Sequence, residues 1–249
     1  LMARLLPTGD WRPGLAWFAC VLAVGALDSV WMTLTDLPAA LFLVAAVVAV
    51  ERGRGRAATG WLLVATYVRE LSLLGLPLLR AAAPPDHGGW LASLRRAIAC
   101  SVPIVLWCAW LNVQLPGGFL GPEGNADWPG FAFARAMAYD LSRVLAGDQN
   151  PQWHFGLVGG IGLAAQSLYL LRRARGLGRD PWLGLGVPFA LFFWLVGADP
   201  WLDYRAIARH CLPLTIAFNV VLARTPGSHP LWFATNVSAL DGVLRMTYL

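Results

Sequence analysis

The sequence predicts an all-α, polytopic helical membrane protein, and three observations carry that prediction. Hydrophobic residues make up 57% of the 249 positions and charged residues only 13%, proportions foreign to a soluble globular domain. Mean hydropathy is +0.57. The apolar runs are long, rich in Leu, Ala, Val and Trp, and lack the alternating ten-residue pattern of an outer-membrane barrel. Helices are therefore the way this backbone satisfies its hydrogen bonds in lipid.

The net charge of +5 arises from 19 arginines with no lysine at all, a bias that fits a GC-rich bacterial genome. The arginines fall between apolar segments, as the positive-inside rule expects. No basic stripe interleaves with aromatic residues, so nucleic acid is not an expected partner. Cys20, Cys100, Cys108 and Cys211 each sit inside an apolar run with no Cys-x-x-Cys pair and read as packing residues. The chain opens in mid-pattern with Leu1-Met2 and no signal peptide, which reads as a sequence whose N-terminal helices lie upstream.

Leu15 to Leu27 is apolar and runs into a polar corner from Asp28 to Asp36. Leu37 to Val50 is apolar again and ends in Glu51-Arg52-Gly53-Arg54-Gly55-Arg56, which marks the cytoplasmic side and puts Asp28 and Asp36 outside. From Ala58 to Ala83 the chain is apolar except for Arg69-Glu70, and Arg80, Arg95 and Arg96 follow. A charge at the bilayer centre costs roughly 3 kcal/mol on insertion scales, so two adjacent charges call for a structural reason. The stretch is too short for two spans of about 20 residues but long enough for two short helices meeting at a turn. We expect that turn at Arg69-Glu70.

Ala97 to Val113 is the next span, and the polar stretch from Gln114 to His154 follows, rich in Pro and Gly. Within it, Ala132 to Leu145 reads as an amphipathic helix at the interface. Phe155 to Leu171 returns to the arginine-rich run of residues 172–179, Trp182 to Gly197 goes out, and Ile207 to Leu222 comes back to Arg224. Residues 1–224 are thus expected to form a transmembrane helical domain of about eight crossings including the short hairpin. Its external loop is 114–154, and 225–249 is a C-terminal interfacial or partial membrane segment. Dropping the hairpin would move residues 172–179 outside, so charge parity favours it. Asp28, Asp36, Arg69, Glu70 and the Asp203-Tyr204-Arg205 corner then gather on one external face.

Each candidate has a structural alternative. Asp36 before Leu37-Pro38 reads as an N-cap or as a carboxylate on a cavity floor. Arg69-Glu70 reads as a buried pair fixing the hairpin, or as an arginine facing a phosphate, which guanidinium binds bidentately. Arg205 and Arg209, spaced i to i+4, read as interfacial anchors or as a second anchor for an anionic headgroup. His87, His154, His210 and His229 are dispersed without His-x-x-x-His spacing, which argues against tetrahedral zinc. No Gly-x-Ser-x-Gly elbow is present.

The series Leu34-Thr35-Asp36-Leu37-Pro38-Ala39-Ala40, then Val64-Ala65-Thr66-Tyr67-Val68-Arg69-Glu70-Leu71, then Pro77-Leu78-Leu79-Arg80 resembles the middle of bacterial GT-C-fold glycosyltransferases. Tyr204-Arg205 followed by Arg209 and Pro213 resembles their late helix, and the resemblance covers roughly Trp17 to Arg224. It implies an enzyme of the bacterial inner membrane that passes a sugar from a polyprenyl-phosphate carrier to an acceptor at the periplasmic face. Its partners would be that lipid-linked sugar, an acceptor and the bilayer. Arg69, Arg205, Arg209 and Tyr204 would contact the lipid phosphate. The key acidic residue of that superfamily lies in the first external loop, which this chain does not match, so the catalytic base is unknown, with Asp36, Glu70 and Asp28 as candidates. No cofactor is firmly implied, and a divalent metal stays open. A secondary transporter or a non-catalytic membrane scaffold are the alternatives. The former should show an internal repeat, which the sequence lacks.

Overall fold

The computed structural model describes residues 11–31, 34–81, 87–114, 128–201 and 204–237. Among them the chain forms eleven α-helices joined by turns and short 3-10 segments, with no strand. They are α1 (Arg12–Val21), α2 (Val24–Trp31), α3 (Asp36–Glu51), α4 (Gly55–Val68), α5 (Leu78–Ala81), α6 (His87–Gln114), α7 (Phe131–Leu145), α8 (Pro151–Leu171), α9 (Pro181–Leu195), α10 (Tyr204–His210) and α11 (Leu212–Arg224).

Three stretches are long and apolar enough to cross a membrane: Arg12–Val30, Gly89–Gln114 and Pro151–Leu171. The pair α10 and α11, bent by 61°, makes a fourth if counted as one span. The expected count of about eight crossings is finer than these lengths carry. Helices α3, α4 and α9 have 16, 14 and 15 residues, short of the roughly 20 that a bilayer core requires.

The stops are local. Helix α3 ends at Gly53, whose φ of +67° suits a residue without Cβ. Helix α4 ends where Arg69 turns extended, at φ −153° and ψ 121°. Asn150 and Asp180 cap α8 and α9 by accepting from the Gln152 and Trp182 amides, each with Pro at the first helical position. Pro213 lacks the amide that would carry α10 straight into α11.

Beyond Arg69 the chain folds back as a 3-10 segment, Glu70–Gly75. Gly75 meets the side chains of Leu43 on α3 and Leu62 in the middle of α4, so the turn expected at Arg69-Glu70 is present. Helix α5 then packs against α9, with Gly184 touching the Leu78 backbone.

The arginine-rich ends meet at one pole. Arg224 Nη1 lies 2.5 Å from Glu51 Oε1, and the same oxygen accepts from Trp182 Nε1 at 2.9 Å. Arg12 reaches the Thr225 carbonyl, Arg96 lies against Gly55, and Arg80 lies beside Gly178. The core between the poles is built by α3, α9 and α11, where Trp182, Phe189, Phe193 and Phe218 are fully buried.

Buried among α8, α11 and the 3-10 segment Pro230–Asn236 is an amide cluster. Gln166 Nε2 donates to the Thr235 carbonyl at 3.1 Å and to Asn236 Oδ1 at 3.3 Å, while Gln166 Oε1 accepts from Thr215 Oγ1 at 3.0 Å. Asn219 Nδ2 donates to the Thr215 carbonyl and to Asn236 Oδ1, and Asn236 Nδ2 donates to Asn219 Oδ1 and the Phe233 carbonyl. Every amide proton of the cluster is used. It pins residues 230–236 to the bundle, helped by Gly162, whose missing side chain admits the Thr235 carbonyl. The remaining C-terminal residues, 238–249, lie outside the described set.

Helix α6 is the contrast. Val102, Val105, Leu106, Trp107, Trp110 and Val113 are all exposed, while Ser93 donates to the Leu79 carbonyl and Cys100 is buried against α4 at Thr59. Helix α7 is amphipathic, as expected, and lays Ala132, Phe133, Ala136 and Met137 on the body while Phe131, Tyr139, Leu141 and Leu145 stay exposed.

Candidate functional site

At the pole opposite the arginine-rich ends, four elements bring charged side chains together. Asp36 is the first residue of α3, with Thr35 at the N-cap position, and its side chain makes no cap. Pro38, two residues on, needs no amide partner there. The carboxylate turns inward, and its side chain is 4% exposed.

Arg69 reaches it from the end of α4. Its Nε lies 3.1 Å from Asp36 Oδ1. The extended conformation of Arg69 makes this possible, because it takes the residue off the α4 surface and aims it across to α3. Arg209 arrives from α10, with Nη1 2.5 Å from Asp28 Oδ2 and Nε 3.8 Å from Asp36 Oδ2. Asp28 can approach because Gly25, one turn earlier on α2, lies against the Ala208 backbone. A side chain at position 25 would hold α2 and α10 apart.

His210 completes the group, with its Nε2 2.6 Å from Arg69 Nη2. Guanidinium nitrogens only donate, so Nε2 carries the lone pair and the imidazole is neutral. Together Asp36, Arg69, Arg209 and His210 line one crevice, with Leu43 and Phe189 as its apolar walls. Its cavity volume is ≈ 10 Å³, room for about one water molecule.

The cluster is close in distance and incomplete in hydrogen bonding. Asp36 Oδ2, Arg69 Nε and Arg209 Nε are buried and have no hydrogen-bond partner among the described residues. Charges this near attract strongly where water is scarce, and Arg209 Nη1 donates to Asp28 Oδ2, yet neither Nε–H is aimed at Asp36 as in a saturated bidentate pair.

The residues singled out from sequence divide into two sets. Asp28, Asp36, Arg69 and Arg209 converge. Glu70 does not join them. It is exposed, and the buried partner of Arg69 is Asp36 rather than its neighbour. Tyr204 packs its ring against Gly159 of α8 and lines a separate cavity with Gln166 and Thr215. Arg205, half-buried, is not part of the crevice wall, and Asp203 lies outside the described residues. Of the polar stretch Gln114 to His154, residues 115–127 likewise lie outside them. His210 is the residue that sequence reasoning missed. Its only signal was its place next to Arg209, one turn beyond Ala206.

Outside this pole, two carboxylates near α7 are electrostatically distinct. Burial against α8 at Gly156 pushes Asp140 up from the usual 3.8 to about 6. Asp148 is held below the usual carboxylate range, first by the Asn150 backbone amide and then by Trp153 and Arg143. Among the described residues no three His, Cys, Asp or Glu side chains gather as metal ligands.

Compared with known proteins, the chain matches no family model, no curated protein and no solved structure.

Proposed function

We propose that this chain is a membrane glycosyltransferase that moves a sugar from a polyprenyl-phosphate carrier to an acceptor at the periplasmic face of a bacterial inner membrane. The observation that carries the reading is the unsatisfied cluster. Two guanidiniums, Arg69 and Arg209, line one crevice, and each carries a buried Nε–H without an acceptor among the described residues. A departing lipid phosphate supplies the acceptors these donors lack, and charge stabilisation at that point is where such a transfer gains most. Apart from the bent α10–α11 pair, counted as one span, the hairpin and the shorter helices α3, α4 and α9 would supply the remaining passages of a polytopic arrangement with about eight crossings.

In this reading Asp28 and Asp36 hold the arginines in place, and Glu70 is left for the acceptor. It has no ion-pair partner among the described residues, is exposed, and adjoins Arg69. It is the candidate to orient or deprotonate the acceptor hydroxyl. Tyr204 and Arg205 set the position of α10 and do not face the phosphate.

The test is transfer from a polyprenyl-phosphate-linked sugar in membrane vesicles carrying the protein. Arg69→Ala should lower transfer per folded molecule by roughly 100-fold or more, with normal folded yield. Loss of yield at unchanged transfer per molecule would leave Arg69 as a packing residue. Loss of solute uptake instead of transfer would assign the crevice to a transporter.

A further inference from the structure

We infer that the anion site is proton-coupled: His210 takes one proton from solvent when a phosphate group enters the crevice, and then donates a hydrogen bond to it. This rests on the phosphate-binding reading above and adds what that reading leaves open, namely how the site balances its charge.

The argument is a charge count fixed by contacts. Asp28 and Asp36 carry two negative charges, and Arg69 and Arg209 two positive ones. The Arg69–His210 contact at 2.6 Å requires a neutral imidazole. The empty cluster is therefore neutral. A phosphomonoester brings a charge of about −1.5 to −2, and placing it in a half-open crevice walled partly by Leu43 and Phe189 without a counter-charge is costly.

His210 is placed to supply the counter-charge. The charged groups acting on its ring are Arg69 from the turn after α4, Asp36 from α3 and Arg209 on its own helix. Asp28 on α2 acts through Arg209. From α9 the ring meets Phe192, and Asp199 of the turn before α10 is exposed. When a phosphate oxygen takes over the Arg69 donor, Nε2 is released. It is then within reach of the same oxygens, and a proton there turns an acceptor into a donor. No bond other than N–H forms, and the proton comes from water.

The experiment is calorimetric titration of the full chain in detergent with polyprenyl monophosphate, at neutral pH, in two buffers of different ionisation enthalpy. The difference between wild type and His210→Gln cancels protons exchanged by the ligand itself. Wild type should take up about one proton more per site than the variant, and bind roughly tenfold more tightly, with affinity rising as pH falls. Asp28→Asn removes one negative charge, so it should bind more tightly than wild type with less proton uptake. Its outcome stands even if position 210 does not tolerate Gln. Binding with equal proton uptake in wild type and His210→Gln overturns the inference and leaves the phosphate site standing. Asp28→Asn binding with undiminished uptake likewise overturns it. Absence of binding in wild type overturns the phosphate reading together with the inference.

Discussion

Among the described residues, a buried amide cluster and a partly buried charge cluster are finished to different degrees. In the amide cluster of Gln166, Thr215, Asn219 and Asn236, each amide proton has an acceptor, and the members come from α8, α11 and the C-terminal 3-10 segment. In the charge cluster of Asp28, Asp36, Arg69, Arg209 and His210, the ions lie near each other while Asp36 Oδ2, Arg69 Nε and Arg209 Nε keep open valences. A closed network fixes one arrangement, whereas an open one holds a place for a missing partner. The first cluster thus serves folding, and in the proposed function the second serves binding.

The largest effect that sharpens this contrast is expected at Arg69. Arg69→Ala should cost roughly 100-fold or more in sugar transfer, while the unfolding midpoint in detergent moves little compared with changes to the amide cluster. Equal damage to midpoint and transfer would erase the distinction.

Next in size is Asn219→Leu. It removes two donors and one acceptor from a site with no exposure, and should lower stability by about 3 kcal/mol by leaving Asn236 and the Thr215 carbonyl unmatched. Thermal unfolding measures this, and limited proteolysis should find residues 230–236 released while phosphate binding per folded molecule persists.

Smaller still is the double change Asp36→Asn with Arg69→Gln. Neutralising both members of a buried pair leaves no stranded charge, so stability should stay within about 1 kcal/mol of wild type while anion binding is lost. A collapse in stability would show that the ion pair is itself a structural requirement.

The mildest effect concerns Asp140, outside the spanning helices. Burial raises its carboxyl to about 6 in the folded chain, so the folded state favours the protonated form. Its contribution to α7 docking is complete below about pH 4 and is lost as pH rises through about 6. The unfolding midpoint should fall across that window in wild type, and Asp140→Asn should flatten the dependence. An identical slope in the variant would place the titration elsewhere.

Much of this was legible in the chain before any coordinates. The adjacent charges Arg69-Glu70 inside an apolar run marked the turn, and arginine parity placed Glu51, Arg80, Arg96, Arg172 to Arg179 and Arg224 toward one pole, where contacts link Glu51 with Arg224, Arg80 with Gly178 and Arg96 with Gly55. Partner choice was not legible. Glu70 is adjacent to Arg69 in sequence, but Arg69 is extended and pairs with Asp36, which is reached because the α3–α4 pair brings the start of α3 beside the end of α4. His210 was hidden because its role depends on a contact across 141 positions. The amide cluster was invisible for the same reason. Gln166, Asn219 and Asn236 are single polar residues in three separate segments, the last of them in a weakly patterned tail, and no periodicity connects them.

Helix α6 carries a consequence of a mechanical kind. Its 26-residue apolar stretch is about 39 Å long, roughly 9 Å more than a hydrocarbon core is thick, and among the described residues Val102, Val105, Leu106, Trp107, Trp110 and Val113 on it are exposed. As a span, α6 would meet lipid along much of its surface and accommodate the excess length by tilting. Bilayer thickness would then set the height of Gln114.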